Sequence, residues 1–291
     1  MQINQSIKAS FLLDMNSPSS LETSEEAKKT FKKEEYLLEN QETKVQKCLT
    51  VKRTEKELLL EEFQNSLKYL QEEDTIKILT GKPDFNAKYE SALKIKRDLE
   101  ASLKINAFEL SFIDKGRYLK KDCGNHKKRT LVIEIQGVIQ YISGLFFKDC
   151  DLCIPTFKNG NFLLDLYIKN RKYIGEFLLT MSKNFELIIF SEMQDDILIS
   201  LTDFLEEAFT FKFDYVIGRS HSFYTNSSIT LKNLNCLLVN RRKEDIIIVD
   251  YNINNSCFYL DNTIIVPQYK GKDEDTDFLK HLAKYLLKKA D

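Results

Sequence analysis

Glu134 and Gln136 stand two residues apart where the apolar run Leu131, Val132, Ile133 and Ile135 meets Gly137. A carboxylate at such a place can act as a nucleophile, a base or a metal ligand, whereas an amide only exchanges hydrogen bonds. Two further apolar runs end on polar residues: ELIIF leads into Ser191, and DIIIVD closes on Asp250, followed by Tyr251. If these runs are neighbouring strands, carboxylate, amide, hydroxyl and phenol gather at one place. The loop after Ile133, taken alone, offers nothing obviously reactive. Asp250 has a plain alternative role, capping a helix that follows it.

Other residues invite different chemistry. Cys123 with His126, and Cys150 with Cys153, have the spacing of zinc-knuckle half-sites. An apolar strand separates the two pairs, and six Cys with three His produce such spacings by chance in a chain this long, so no structural metal is expected. The Cys150–Cys153 pair lacks thioredoxin-like surroundings, which argues against a redox role. His221 sits in RSHSFYTNSS with nothing to orient a Ser-His-Asp triad. KDEDTD, Lys272 to Asp277, lacks the Gly and spacing of a calcium loop. Its acids before a helix, with Lys288 and Lys289 at the far end, match the helix dipole instead.

The elements that would position these residues change character along the 291 residues. Residues 1–22 read as a flexible N-terminus. Residues 23–119 read as a helical extension: mixed charges interleave with Phe31, Leu37, Leu38, Val45, Leu49, Leu58 to Leu60, Phe63, Leu67 and Leu70 at helical spacing. GKPDF (Gly81 to Phe85) breaks the pattern, and a further helix is expected over Ala87 to Leu103. The basic KKDCGNHKKR, Lys120 to Arg129, reads as an exposed connector. The stripe from Leu58 to Leu70 is a candidate docking face, and the extension a candidate separable module.

Residues 128–291 form the second part. TLVIEI, FLLDLY, ELIIF, DYVIG, DIIIVD and TIIVP read as strands, with helices near Ile174 to Lys183, Asp195 to Glu207 and Thr276 to Lys289. Near-continuous apolar strands alternating with helices predict an α/β fold with a mainly parallel, Rossmann-like sheet covered on both faces. Sites in such sheets form at the carboxyl ends of the strands.

The net charge of −1, from 43 basic and 44 acidic residues, lacks a whole-chain basic footprint, so no nucleic-acid partner is expected. No run reaches the ~18 apolar residues of a membrane helix. The first residues make a poor secretory signal and a weak mitochondrial presequence. Dispersed cysteines imply no secreted disulfide framework. A soluble, intracellular chain is the expectation.

The strand ends, in order, resemble the haloacid-dehalogenase superfamily, and within it the branch of the RNA polymerase II C-terminal-domain phosphatases and NLI-interacting-factor-like proteins. The residues carrying the likeness are TLVIEIQGVI, FELIIFSEM, ITLKNLNCL, VNRRKEDIIIVDYN and FYLDN, over roughly Lys128 to Lys288. Within the branch the likeness is nearest to the Tim-fifty receptor subunit of the mitochondrial inner-membrane presequence translocase, through Thr-Leu-Val, Glu and Gly-Val at the first strand and the spacing of Lys232 to Cys236-Leu237.

The resemblance implies roles. Active members use an Asp nucleophile, an Asp acid two residues later, a phosphoryl-holding hydroxyl, a Lys, and a late acidic pair that helps to hold Mg²⁺. In this sequence those positions fall on Glu134, Gln136, Ser191, Lys232 and Asp250–Tyr251. Glu134 moves the carboxylate outward by one methylene, Gln136 cannot donate an acid proton, and Tyr251 lacks the metal-binding oxygen. The expectation is a pseudophosphatase with no catalytic residues and no cofactor, which works by binding proteins. By resemblance its partners would be translocase subunits and presequence peptides in mitochondrial import. The alternatives are a structural subunit of another complex, mitochondrial, cytoplasmic or nuclear, and a divergent Mg²⁺-dependent phosphoprotein phosphatase.

Overall fold

A computed structural model describes residues 56–80, 85–103 and 129–290, apart from 159–160, 225–229, 239 and 273–276. The chain divides into two compact units, Met1–Leu58 and Leu59–Asp291, and nearly all described residues belong to the second. The expected flexible terminus, residues 23–55, 81–84 and 104–119 of the extension, and all of the Lys120 to Arg129 connector but Arg129 lie outside the described residues.

Five strands form a parallel sheet in the order β10-β9-β1-β5-β6. They are β1 (Thr130–Ile133), β5 (Glu186–Phe190), β6 (Tyr215–Ile217), β9 (Ile246–Asp250) and β10 (Thr263–Ile265). Every residue of β1, β5 and β9 is buried. Their β-branched and Leu runs suit a layer with no solvent face. Alternate side chains feed two cores. Leu131, Ile133, Leu187, Ile189, Ile247 and Val249 point to one side, and Val132, Ile188, Phe190, Ile246 and Ile248 to the other. The expected α/β class holds.

Helices cover both faces. On the first lie residues 59–69 (α1), α2 (Glu72–Thr80), α4 (Ile174–Asn184), α5 (Asp195–Phe209) and α7 (Phe278–Leu287). On the second lie α3 (Phe85–Leu103), the short α6 (Asn235–Leu238) and the 3-10 segment Ile253–Asn262. The described helices before Leu103 are therefore built into both layers. Phe63 and Leu67 are 2% and 7% exposed, in the same core as Leu131 and Ile189, while Leu58 and Leu59 face solvent. Thr75 Oγ1 lies 3.0 Å from His281 Nδ1 on α7, Lys284 bonds the Leu70 carbonyl, and Ala92 and Leu99 of α3 are buried in the second core. The Leu58 to Leu70 stripe is thus divided, its Phe63 and Leu67 part being internal core.

FLLDLY departs from expectation. It lies in β4 (Asn161–Asn170), which joins β2 (Gln140–Ser143) and β3 (Leu152–Lys158) in a separate antiparallel sheet, not the parallel one. Leu166 and Ile168 alternate with the half-buried Asp165 and Tyr167, the pattern of a sheet with one covered face. A short hairpin pairs β7 (Ser222–Tyr224) with β8 (Thr230–Lys232). No helix among the described residues is long and apolar enough to cross a membrane.

Candidate functional site

Three adjacent strands deliver three of the expected residues. Glu134 follows β1, where its N–H bonds Val249 O at 3.0 Å. Ser191 follows β5, and its N–H bonds Ile217 O at 2.9 Å. Asp250 closes β9. Lys232 arrives from outside the sheet, as the last residue of β8. The structure brings the four together: Lys232 Nζ lies 2.7 Å from Glu134 Oε2 and 2.5 Å from Asp250 Oδ2, and Ser191 Oγ donates to Glu134 Oε1 at 2.6 Å. All four are at least 97% buried.

One cation thus stands between two carboxylates in a dry place, where unbalanced charge is costly. Burial pushes the Glu134 carboxyl above its ordinary value against the pull of Lys232, and the Asp250 charge adds to the rise. Burial alone would strip the Lys232 proton, but Asp250 and Glu134 together outweigh it and hold the ammonium above its ordinary value. These two directions describe one state: the ammonium persists, and the Glu134 carboxyl takes up a proton more readily than an ordinary carboxyl as pH falls.

Gln136 and Tyr251 stand at the rim and outside the ion pair. The Gln136 N–H donates to Glu134 Oε1 at 3.2 Å, while its side-chain amide donates to Ile142 O at 3.3 Å, on β2. Gly137 has φ +74, and a Cβ there would come within 2.8 Å of the Tyr251 ring. The residue type is therefore set twice, by backbone and by close packing. Burial, with the charges of Glu134 and Asp250, pushes the Tyr251 phenol up to about 12.

Two rim residues escaped the sequence reading. Glu192 is half-buried, its Oε1 contacting Asn255 Nδ2. Burial and the Glu134 charge push its carboxyl up to about 7. Glu192 was findable as the neighbour of Ser191; Asn255 left no signal in the sequence.

A hard octahedral ion needs near-ideal oxygen geometry, and at this site it would have to share the carboxylates with donors of the chain. Glu134 Oε1 accepts from Ser191 and the Gln136 N–H, Glu134 Oε2 and Asp250 Oδ2 face Lys232, and Asp250 Oδ1 accepts from the Asn252 N–H at 2.9 Å. Each carboxylate oxygen already has a donor from the chain. No group of three or more His, Cys, Asp or Glu among the described residues could hold a metal ion.

Of the remaining sequence candidates, only a part lies within the described residues. Cys150 and Cys153 are free thiols, while Cys123 and His126 lie outside the described residues, as does most of the Lys272 to Asp277 stretch. His221 Nδ1 meets the adjacent Ser220 Oγ at 3.0 Å, and Asp195 Oδ1 faces the Ser220 N–H, not the imidazole. No triad assembles there.

A second buried ion pair sits at the opposite, amino end of the sheet. Arg241 Nε donates to Glu186 Oε2 at 2.7 Å and Nη2 contacts Oε1, while Thr130 Oγ1 donates to Oε2 at 2.5 Å. The Glu that opens an apolar strand was its signal in the sequence.

The sequence profile of the NLI interacting factor-like phosphatases matches residues 129–290, more than half of the chain. The chain belongs to that family. This bears out the resemblance at the level of the branch. Among solved structures, one similar chain is Fcp1, an essential RNA polymerase II CTD phosphatase, at 15% identity and TM-score 0.39, over 56% of this chain and 49% of that one. Another is a fission yeast Fcp1 variant bound to beryllium fluoride, at 16% identity and TM-score 0.37, over 56% and 51%. The chain thus spans about half the length of each. No curated protein sequence matches it.

Proposed function

We propose that this NLI interacting factor-like chain is catalytically silent and works by binding other proteins. The observation that carries the reading is the closed network at the strand ends. Glu134 stands where the resemblance puts the nucleophile, and it is bonded to Lys232 and Ser191 at 2.7 and 2.6 Å. A nucleophile must reach a phosphorus atom in line, and displacement is poorly tolerated. Gln136 carries no acid proton for a leaving group. With the carboxylate oxygens engaged by the chain's own donors, no Mg²⁺ is required or held.

By the resemblance, the bound proteins would be translocase subunits and presequence peptides at the mitochondrial inner membrane. A structural subunit of another complex, in mitochondria, cytoplasm or nucleus, is the related reading. Affinity purification from the native organism separates the two by the proteins recovered.

The enzyme reading draws on Ser191, Lys232 and Asp250, which stand together as a phosphatase would need. Purified chain with Mg²⁺ and an aryl phosphate, or a phosphoserine peptide, decides between them. The expected result is phosphate release equal to a protein-free blank and no heat of Mg²⁺ binding. Turnover that disappears in Glu134→Ala would overturn the silent reading.

A further inference from the structure

A cavity of about 1110 Å³ is lined by the end of α1, by α2, by residues 267–272 after β10 and by α7. That is the size of a large ligand site. Its walls are held in place. Tyr269 donates its N–H to Gly137 O at 2.7 Å and its hydroxyl to Asn170 O at 3.0 Å. Phe278 is buried, with the Arg171 guanidinium 3.6 Å from its ring centroid. Tyr69 adds a third ring to the lining. The charged side chains in the described lining are Lys77, Lys270 and Lys272 against Asp74.

His281 of α7 supplies the sign of a ligand. It lines the same cavity and is only 6% exposed. Thr75 has one hydroxyl proton and gives it to Gln71 O at 2.9 Å. At the 3.0 Å contact the Thr75 oxygen therefore accepts from His281 Nδ1. This fixes the tautomer and leaves Nε2 as a bare lone pair, with no partner among the described residues. A buried acceptor without a donor is costly, and an entering solute can supply one. Burial holds the imidazole below its ordinary value against the pull of Asp277 and Asp74, while Lys284 and Lys280 add to the lowering.

We infer that this cavity binds a small aromatic acid, its rings against Tyr69, Tyr269 and Phe278 and its acid group at His281 Nε2 and the rim lysines. Three lysines against one carboxylate set the sign of the ligand, and three rings favour a flat aromatic body over an alkyl chain. A protonated acid donates to the bare Nε2. An ionised acid instead draws a proton onto His281, because a negative charge beside the ring favours imidazolium. Binding then takes up a proton, so affinity rises as pH falls. The charged groups around the imidazole are Asp74 and Lys77 on α2, Asp277, Lys280 and Lys284 along the α7 stretch, and Lys270 and Lys272 on the far wall. None of Glu134, Ser191, Lys232 and Asp250 lines this cavity, so the inference does not rest on catalytic silence.

Fluorescence titration of the full chain with anilinonaphthalene sulfonate tests it. Phenylnaphthylamine, the same rings without the acid, serves as control. The sulfonate should bind saturably, at least about tenfold tighter than the neutral amine, and more weakly as salt is raised. Naphthoate should displace it, whereas equal concentrations of inorganic phosphate or decanoate should not. Lys270→Gln with Lys272→Gln should weaken binding at least about tenfold, with unchanged circular dichroism. Affinity should rise as pH is lowered from about 8 to about 6, where the sulfonate stays ionised. That rise should vanish in His281→Asn, whose amide can still donate to Thr75 but offers nothing at Nε2. If His281→Asn disturbs folding, the exposed lysine pair and the ligand comparisons decide. No saturable binding by the wild-type chain, equal binding of sulfonate and amine, or unchanged affinity in the lysine pair overturns the inference. So does displacement by phosphate or decanoate as effective as by naphthoate, or a pH dependence that survives in folded His281→Asn. Failure here leaves catalytic silence standing, and phosphate release in the hydrolysis assay would remove that reading without touching this cavity.

Discussion

Lys232 is the only positive charge within hydrogen-bonding reach of Glu134 and Asp250 among the described residues. Lys232→Met would leave two buried carboxylates facing each other, and removing one partner of a buried pair costs about 3–5 kcal/mol. Urea denaturation should show a loss of that order at pH 7 and a smaller one as pH is lowered, because the raised Glu134 carboxyl takes up a proton more readily than an ordinary one. An equal loss at pH 7 and at lower pH would mean that the carboxylates are not the cause. Glu192 makes a second case. Its folded carboxyl, at about 7, lies above the ordinary unfolded value of ~4.3. The folded state therefore binds the proton more tightly, so stability from this group is complete below ~4.3 and is lost as pH rises through about 7. Glu192→Gln should accordingly be more stable than the wild type at pH 8, by about 1–2 kcal/mol once solvent screening is allowed for. The gap should narrow toward pH 5.

At the scale of elements, α1 separates two readings of one apolar stripe. Phe63 is buried with its ring 5.9 Å from that of Tyr173, whereas Leu59 is 46% exposed. Phe63→Ala should cost about 3–5 kcal/mol in the isolated chain, because it opens a cavity beside Tyr173 at the start of α4. Leu59→Ala should stay within about 0.5 kcal/mol. Thermal denaturation of both variants, without any partner, measures this. If Phe63→Ala left the melting temperature unchanged, α1 would not be part of the core.

For the whole molecule, the compact unit runs from Leu59 to Asp291. A chain beginning at Leu59 should melt cooperatively near the full-length temperature. One beginning at Phe85 lacks Phe63, Leu67 and Leu79 and should lose several degrees or fail to fold. Equal melting of the two would make the helices before Phe85 a separable module. The two buried ion pairs, at opposite ends of the strands, also bear on how tightly the sheet is specified. Each ties β1 to its surroundings: Glu134 meets Lys232 at the carboxyl end, and Thr130 meets Glu186 beside Arg241 at the amino end. A displaced strand would break both and leave charges buried.

The strands of the parallel sheet were legible because burial on both faces demands near-continuous apolar runs, as in TLVI, ELIIF and IIIVD. The helices α3, α4, α5 and α7 were legible from their period. Glu134, Ser191 and Asp250 could be nominated because strand ends in such sheets point to one edge. Other features had no local signature. FLLDLY reads as a buried strand in either sheet, and only pairing with β2 and β3 assigns it to the antiparallel one. The stripe of α1 reads equally as a docking face or as core, since periodicity says that a face is apolar and not what covers it. Lys232 comes from a hairpin outside the sheet, so its meeting with Glu134 and Asp250 depends on contacts far apart in sequence. Residue types and spacing therefore determined which groups were available. Tertiary packing decided which of them met, because a carboxylate's neighbours, burial and proton affinity belong to the fold and not to its own stretch of chain.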